Sequence, residues 1–363
     1  MKMPQLGRIP PSSPGRHRPQ GSAVRNAAAI VLALAGAAAI FSSSLDGEEL
    51  SSGPSLARRS LKQSKSRGMV LKQQAQECGY PVHYARTFRS ESDVEPTVAA
   101  SYPGSGARMT WMLVQSLTGQ ATGDEWNFGK QGDKVVTMKT HHPHPMGKKR
   151  DWPREIPRAI LLLRNPADAI PSFHNFLYEV QHKLEGHSTR APHDEWVNWR
   201  DSSATDGELR GGGFERLLAS WVNSVKYWMN SYPREGEHRL TLAYEDLIGD
   251  NNGINTTLEL GGFLEKAKGV EMIPDPAIEC TWHRVVKGND APRSLRNGEK
   301  QRRYKRKQLD LMVSALDELE MKYENEGKLV GILRRYRSNI IKRPAEEKGK
   351  HLPEEVATKM ARR

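Results

Sequence analysis

Thr97-Val98-Ala99-Ala100-Ser101-Tyr102-Pro103-Gly104-Ser105-Gly106-Ala107-Arg108-Met109-Thr110-Trp111-Met112-Leu113 is the stretch that decides the fold. A short apolar run (97–100) enters a glycine-rich turn (101–106) and leaves it into Arg108 and a second apolar stretch. That order predicts strand, turn and helix N-terminus, the layout of an anion cradle. Backbone N–H groups in such a turn point at a phosphate, and the helix dipole favours its negative charge. No Lys-Ser or Lys-Thr closes the loop at the required spacing, so it is not of the Walker type. On its own the loop indicates a nucleotide-like ligand and names no reaction.

Two further segments sharpen it. Val135-Val136-Thr137-Met138 reads as a buried strand running into Lys139-Thr140-His141. Ala159-Ile160-Leu161-Leu162-Leu163 reads as another, running into Arg164-Asn165-Pro166-Ala167-Asp168 with Ser172 beyond. All three motifs sit where an apolar run ends. In an open α/β sheet, ligands gather outside the carboxyl ends of the strands. A cradle, a Lys/His pair and an Arg/Ser pair are therefore expected to meet in one crevice.

Taken together, these residues resemble the sulfotransferase family that uses 3'-phosphoadenosine 5'-phosphosulfate (PAPS). The YPxSG loop, the Lys-Thr-His strand end and the Arg-Asn-Pro-x-Asp-x-x-x-Ser stretch occur in that family's order. The likeness spans Thr97 to Ser172, with weaker echoes at Tyr244-Glu245-Asp246 and Arg296-Asn297-Gly298. It implies an α/β fold, a P-loop-like three-layer sandwich with a central parallel sheet flanked by helices. It implies PAPS as donor, a hydroxyl acceptor and no metal.

Sulfuryl transfer needs an anion cradle, a cation or acid on the leaving group and a base on the attacking hydroxyl, with positioning and charge stabilisation dominant. Gly104 and Gly106 carry no side chain and let the backbone approach a phosphosulfate closely. Ser105 and Thr110 offer hydroxyl donors there. His141 is the expected general base, since an unperturbed imidazole is largely neutral at physiological pH. The resemblance gives the histidine of Lys-Thr-His the same role. His142 and His144 lie beside it and stand as alternatives. Pro143 and Pro145 are expected to hold the segment extended, which disfavours a metal site. Lys139, two residues from His141 and on the same face of a continuing strand, is expected to neutralise charge on the sulfonate or bridging oxygen. Arg164 and Ser172 match the family's pair for the 3'-phosphate, where a guanidinium offers two parallel hydrogen bonds. Asp168 is expected to cap the helix, with Pro171 in its first turn and Ser172 near its N-terminus.

The chain also departs from the family. Gly104 stands where the loop usually carries a lysine, and the spacing from Ser105 to Trp111 is two residues longer than the usual SGxxW. Arg108 is the candidate to supply the missing charge. For the second 3'-phosphate segment the candidates are Arg293, Arg296 and Gly298. The glycine loop resembles membrane-bound, WSC-domain-associated sulfotransferases, without a cysteine-rich module, whereas Lys-Thr-His resembles the cytosolic branch.

The net charge of +12, from 55 basic and 43 acidic residues, suits a polyanionic ligand. No RNA- or DNA-binding motif accompanies it, so nucleic acid is not expected as a partner. The run Lys300 to Lys307 reads as a solvated helix face. Residues 1–25 carry five basic residues and no acid, and 26–45 are uncharged and mostly Ala, Ile, Leu and Val. Twenty such residues match the length of a membrane-crossing helix. Acids follow at Asp46, Glu48 and Glu49, and the basic residues before the span with these acids after it place the N-terminus in the cytoplasm. The expected partner is a lipid bilayer, and the expected location a Golgi membrane, single-pass type II, with the catalytic domain lumenal. A cleaved signal or transit peptide is the competing reading. That placement favours a carbohydrate acceptor, a glycan or glycoprotein, over tyrosine, phenols or lipids. Cys78 and Cys280 are the chain's two cysteines. They would pair in an oxidising lumen and stay as separate thiols elsewhere. Asn255-Thr256-Thr257 is a glycosylation sequon.

The expected organisation is a basic cytoplasmic tail (1–25), a signal-anchor (26–45), a flexible stem (46–76), a sulfotransferase domain (77–341) and a disordered charged tail (342–363). Within the domain, 186–213 reads as a long polar loop or lid. Phe214–Tyr232 and Leu309–Tyr323 read as amphipathic helices, and Arg239–Ala243 as a strand ending in Tyr244-Glu245-Asp246. Two rivals stand beside the transferase. A nucleotide-dependent kinase is disfavoured because no metal-binding carboxylate or Walker lysine accompanies the loop. A non-catalytic nucleotide- or glycan-binding protein is encouraged by the missing loop lysine.

Overall fold

Five strands, β1 (Thr97–Ser101), β2 (Gly123–Asp124), β3 (Thr137–Thr140), β4 (Ala159–Leu163) and β5 (Arg239–Ala243), pair in the order β2-β3-β1-β4-β5, and every pairing is parallel. They belong to a computed structural model that describes residues 93–126, 135–186, 189–202, 212–288 and 302–346. The segments expected as tail, anchor and stem lie outside the described residues, as do Cys78, Arg293, Arg296, Gly298 and residues 347–363. Among the described residues no helix is long and apolar enough to cross a membrane. Cys280 is disulfide-bonded.

The strands alternate with helices: α1 (Ala107–Thr118), α2 (Trp152–Glu155), α3 (Pro166–Gln181), α4 (His193–Asp201), α5 (Phe214–Ser231), α6 (Tyr244–Ile248), α7 (Gly253–Leu264), α8 (Asp275–Trp282), a π-helical turn (His283–Lys287), α9 (Arg306–Lys322) and α10 (Gly327–Ile341). Every residue of β4 is buried, as a parallel strand covered on both faces requires. Its side chains divide by parity. Leu161 and Leu163 join Val98 and Ala100 in a core with Phe173 of α3, Trp221 of α5, Leu316 of α9 and Leu333 of α10. Ile160 and Leu162 join Leu240 and Leu242 in a second core with Leu113 of α1, Phe263 of α7 and Ile278 of α8. Helix, sheet, helix: the molecule is the expected three-layer α/β sandwich.

The amphipathic helices fall where periodicity places them. Leu217, Leu218, Trp221, Val225 and Trp228 of α5 are all core residues. The segment 186–213 differs from expectation, because it contains α4 and is not a loop throughout. Trp196 is fully buried against Tyr304, with ring centroids 5.6 Å apart. Of the polar residues that suggested a loop, Arg200 donates to Asp201 (2.8 Å and 2.7 Å) and to Glu346 (2.9 Å). The basic run is likewise not wholly solvated, since Arg302 is buried and donates to the Ala191 carbonyl. Asn255 is exposed on α7, while the hydroxyl of Thr257 is buried and donates to Gly253 O (2.7 Å).

Candidate active site

Strand register brings the three motifs to one edge. Ala100 pairs with Thr140, so Ser101 and His141 follow side by side at the carboxyl ends of β1 and β3. Leu163 pairs with Ala243, which sets Arg164 next to Tyr244. Asp124 pairs with Lys139, which sets Glu125 next to Thr140. Parallel strands in register place successive motif ends on a common rim, where α/β folds bind ligands.

At the centre of that rim is the N-terminus of α1. Its N-cap is Gly106, no side chain caps it, and no acidic residue lies in its first turn. The backbone donors of that turn and the positive end of the dipole are thus left to an anion. Ser105 is fully buried, and its Oγ has no hydrogen-bond partner among the described residues. A buried hydroxyl without a partner is costly. The glycines also serve the packing of the loop. Gly104 (φ +83°) and Gly106 (φ +95°) are in the left-handed region that favours glycine. A Cβ at Gly104 would lie 2.4 Å from Ala169 O and 2.7 Å from Phe173 N, and one at Gly106 would lie 2.5 Å from the Tyr244 ring. The missing side chains therefore make room for α3 and for Tyr244, so that the loop seats against both. Thr110 is buried and its hydroxyl turns back to Gly106 O (3.3 Å). Arg108 is exposed in the first turn of α1.

Arg164 leaves the end of β4 and donates through one terminal nitrogen to Gly104 O (2.7 Å). Its guanidinium stacks on Tyr244, 4.5 Å from the ring centroid. The Arg164 Nε is buried without a partner among the described residues. Asn165, not Asp168, caps α3: its side chain accepts from Ala167 N–H (3.0 Å), with Pro166 at the first helical position. Asp168 instead binds Arg343. Pro171 falls inside the helix and leaves Ala167 O without its N–H donor. Tyr304 OH (3.1 Å) and Arg343 (3.4 Å) donate to that carbonyl. Ser172 consequently lies well inside the helix and half-buried, although its backbone abuts Gly104.

His141 is half-buried, and its Nδ1 sits 2.9 Å from Ser101 O. A carbonyl only accepts, so Nδ1 carries the hydrogen and Nε2 keeps its lone pair. Desolvation, aided by the Lys139 charge and opposed by the Ser101 bond, lowers the His141 pKa to about 4. The ring is neutral at physiological pH. Lys139 lies on the α1 side of the sheet, its Nζ 5.5 Å from the Trp111 ring centroid. The neighbouring histidines are held in other ways. The His142 ring packs edge-on against Tyr227 (4.6 Å), and its carbonyl accepts from Trp228 Nε1 (2.7 Å). His144 is buried between Tyr102 and Phe173, and its Nδ1 accepts from Met146 N–H (3.1 Å). Burial lowers its pKa to about 3. The segment is not extended, as the two prolines suggested. It turns back at a cis His142–Pro143 bond, with His144 N–H donating to His141 O (2.9 Å).

Among solved structures, the chain is similar to that of mouse sulfotransferase SULT7A1 complexed with PAP. The two share 15% identity at a TM-score of 0.43, over 67% of this chain and 89% of that one. No residue role carries across at that level. No protein-family model matches the chain. No curated protein matches it either.

Two groups at the rim and a third on the π-helical turn escaped the sequence reading. Glu245 is a buried carboxylate whose oxygens accept Asn165 N–H (2.9 Å) and Tyr336 OH (2.7 Å), and burial raises its pKa. It fixes the β4 end that carries Arg164. Glu125, buried beside Thr140, does the same for the β3 end. Arg284 belongs to the π-helical turn, which packs on α1, and its Nε and one terminal nitrogen are buried without partners among the described residues. The Tyr244-Glu245-Asp246 echo was the available signal for the first. Nothing in the local sequence singles out the other two. No group of three or more His, Cys, Asp or Glu among the described residues is placed to hold a metal ion.

Proposed function

We propose that the chain is a sulfotransferase that moves a sulfonate group from PAPS to a hydroxyl of a carbohydrate acceptor. The observation that carries this reading is the convergence of an uncapped helix N-terminus, the unpartnered buried Ser105 hydroxyl and the unpartnered Arg164 Nε. These are anion-binding groups without an internal anion, and the nearby Lys139 and His141 supply a cation and a neutral base. The order of the three motifs, which resembles that of PAPS-dependent enzymes, names the anion.

The residues present fit the donor. The α1 N-terminus and Ser105 would hold the 5'-phosphosulfate, and Arg164, with Ser172 beside the loop, the 3'-phosphate. PAPS supplies an activated sulfonate, whose acceptance by a hydroxyl releases adenosine 3',5'-bisphosphate. The His141 Nε2 takes the hydroxyl proton, and its tautomer is fixed by the Ser101 carbonyl before substrate arrives. Lys139 provides positive charge where negative charge builds on the departing oxygen, and Arg108 adds charge from the first turn of α1. Preorganised charge of this kind needs no rearrangement during reaction. Arg296 and Gly298 are proposed for the second 3'-phosphate segment. The uncharged 26–45 span and its flanking charges support a type II Golgi membrane placement, and that placement supports a glycan or glycoprotein acceptor.

The test is transfer of label from [35S]PAPS to a panel of glycan, phenol and peptide acceptors by the full chain. The reading predicts labelled product without added magnesium, lost in His141→Ala. Transfer from ATP with magnesium, and none from PAPS, would make the chain a kinase.

A further inference from the structure

We propose that Glu125 is the positioning residue of His141, a single buried carboxylate that clamps both ends of the turn carrying the base. The proposal rests on the assignment of His141 above.

Three donors converge on this carboxylate. One oxygen accepts His141 N–H (3.2 Å), and the other accepts the Thr140 hydroxyl (2.6 Å) and Lys148 N–H (2.6 Å). Thr140 Oγ1 in turn accepts His142 N–H (2.9 Å), so the clamp extends through the hydroxyl to the next residue. Between its ends the turn closes on itself: Gly147 N–H donates to His144 O (2.7 Å). A Cβ at Gly147 would lie 2.1 Å from His142 N, so nothing larger than glycine lets the turn fold this tightly. Glu125 is itself set by strand pairing, with its N–H donating to Lys139 O (3.1 Å).

Only an ionised carboxylate meets this set of donors. It offers acceptor capacity on both oxygens, whereas a glutamine would turn N–H2 donors toward one of the two donor groups. Glu125 is 1% exposed, and burying a charge is tolerated when it is hydrogen-bonded as here. Burial raises the Glu125 pKa above the usual carboxylate value, and the hydrogen bonds from Thr140, Lys148 and His141, with the Lys139 charge, oppose that shift and favour the ionised form. The consequence is geometric. The Nδ1 contact with Ser101 O depends on where the His141 backbone stands, and displacements of about 1 Å cost on the order of 100-fold in rate.

The experiment compares the full chain with Glu125→Gln. The expected result is a kcat for sulfonate transfer lower by about 10- to 100-fold, with the KM for PAPS and the Kd for adenosine 3',5'-bisphosphate within about twofold of wild type. In addition, 15N-histidine NMR should show the His141 ring, identified by its loss in His141→Ala, passing from a single Nδ1–H tautomer to a mixture. A folded Glu125→Gln variant with wild-type kcat and an unchanged ring signal overturns the proposal. So does a variant that loses bisphosphate affinity in proportion to kcat, because that is general disruption. If Glu125→Gln does not fold, Glu125→Asp keeps the charge but withdraws it by one methylene. The same split between kcat and KM is then expected, and wild-type kcat overturns the proposal. The ring signal is read without donor or acceptor, so it tests Glu125 even if wild type transfers no sulfonate, a result that would sink the functional reading instead.

Discussion

The Ser101 carbonyl and the His141 Nδ1 lie 2.9 Å apart across the carboxyl ends of β1 and β3. The contact spans 40 residues of sequence and begins from strand register, which carries Ser101 and His141 to neighbouring strand ends. It leaves one nitrogen, Nε2, to do chemistry. His141→Ala is therefore expected to lower kcat by about 10²- to 10⁴-fold, the usual worth of a general base. Bisphosphate affinity should stay within about twofold, as measured by calorimetry on the same preparation. Equal losses in both would contradict the division of labour.

Arg164 is expected to behave in the opposite way. Its guanidinium bonds Gly104 O and stacks on Tyr244 while Nε stays unpartnered. Hydrogen bonds to a charged group contribute about 1.5–3 kcal/mol, so Arg164→Ala should weaken bisphosphate binding by about 10- to 100-fold. Arg164→Lys should recover little of it, because an ammonium cannot reproduce a planar fork. Full recovery by lysine would show that charge alone matters.

Gly104 stands where the loops that this one resembles carry lysine, which invites the idea of introducing a lysine. The geometry predicts failure. A Cβ there would press to 2.4 Å from Ala169 O at a φ of +83°, and neither the helix backbone nor the torsion yields cheaply. Gly104→Lys is expected to lower the melting temperature and bisphosphate affinity together, and Gly104→Ala nearly as much. A stable, more active Gly104→Lys variant would mean that the loop seats differently from the structure.

Acid should act through the buried histidines. The pKa values of His141, His144 and His174 are lowered to about 4, 3 and 4, in each case chiefly by burial. Between those values and 6.5 the unfolded chain binds more protons than the folded one, so stability falls as pH falls through that window. The contribution is fully present above about 6.5 and levels off below about 3. Thermal melts across pH 7 to 4 should show a steady loss that is smaller in His144→Phe. Turnover, which needs neutral His141, should keep its acid limb near pH 4 and not near 6.5.

The sequence carried the strand ends well because each is an apolar run stopped by a motif. Ala159–Leu163 could hardly be anything but a buried strand, and the loop before Ala107 announces its turn with two glycines. What escaped reading depends on long-range pairing. Glu125 belongs to no local pattern and meets Thr140 only because β2, two residues long, pairs with β3. The Asn165 cap escaped because Asp168 and Pro171 imitate a helix start three residues later, and Tyr304 and Arg343 then satisfy the carbonyl that Pro171 strands. The helix at 193–201 escaped because Arg200 finds a partner at Glu346, 146 residues away, that only the fold supplies.

The most direct measurement of the central claim is calorimetric titration of the chain with adenosine 3',5'-bisphosphate, alongside ATP with magnesium. The account predicts one-site bisphosphate binding that does not need magnesium and is weakened by about 10- to 100-fold in Arg164→Ala. A folded chain that ignores the bisphosphate, or prefers magnesium-ATP, would contradict it.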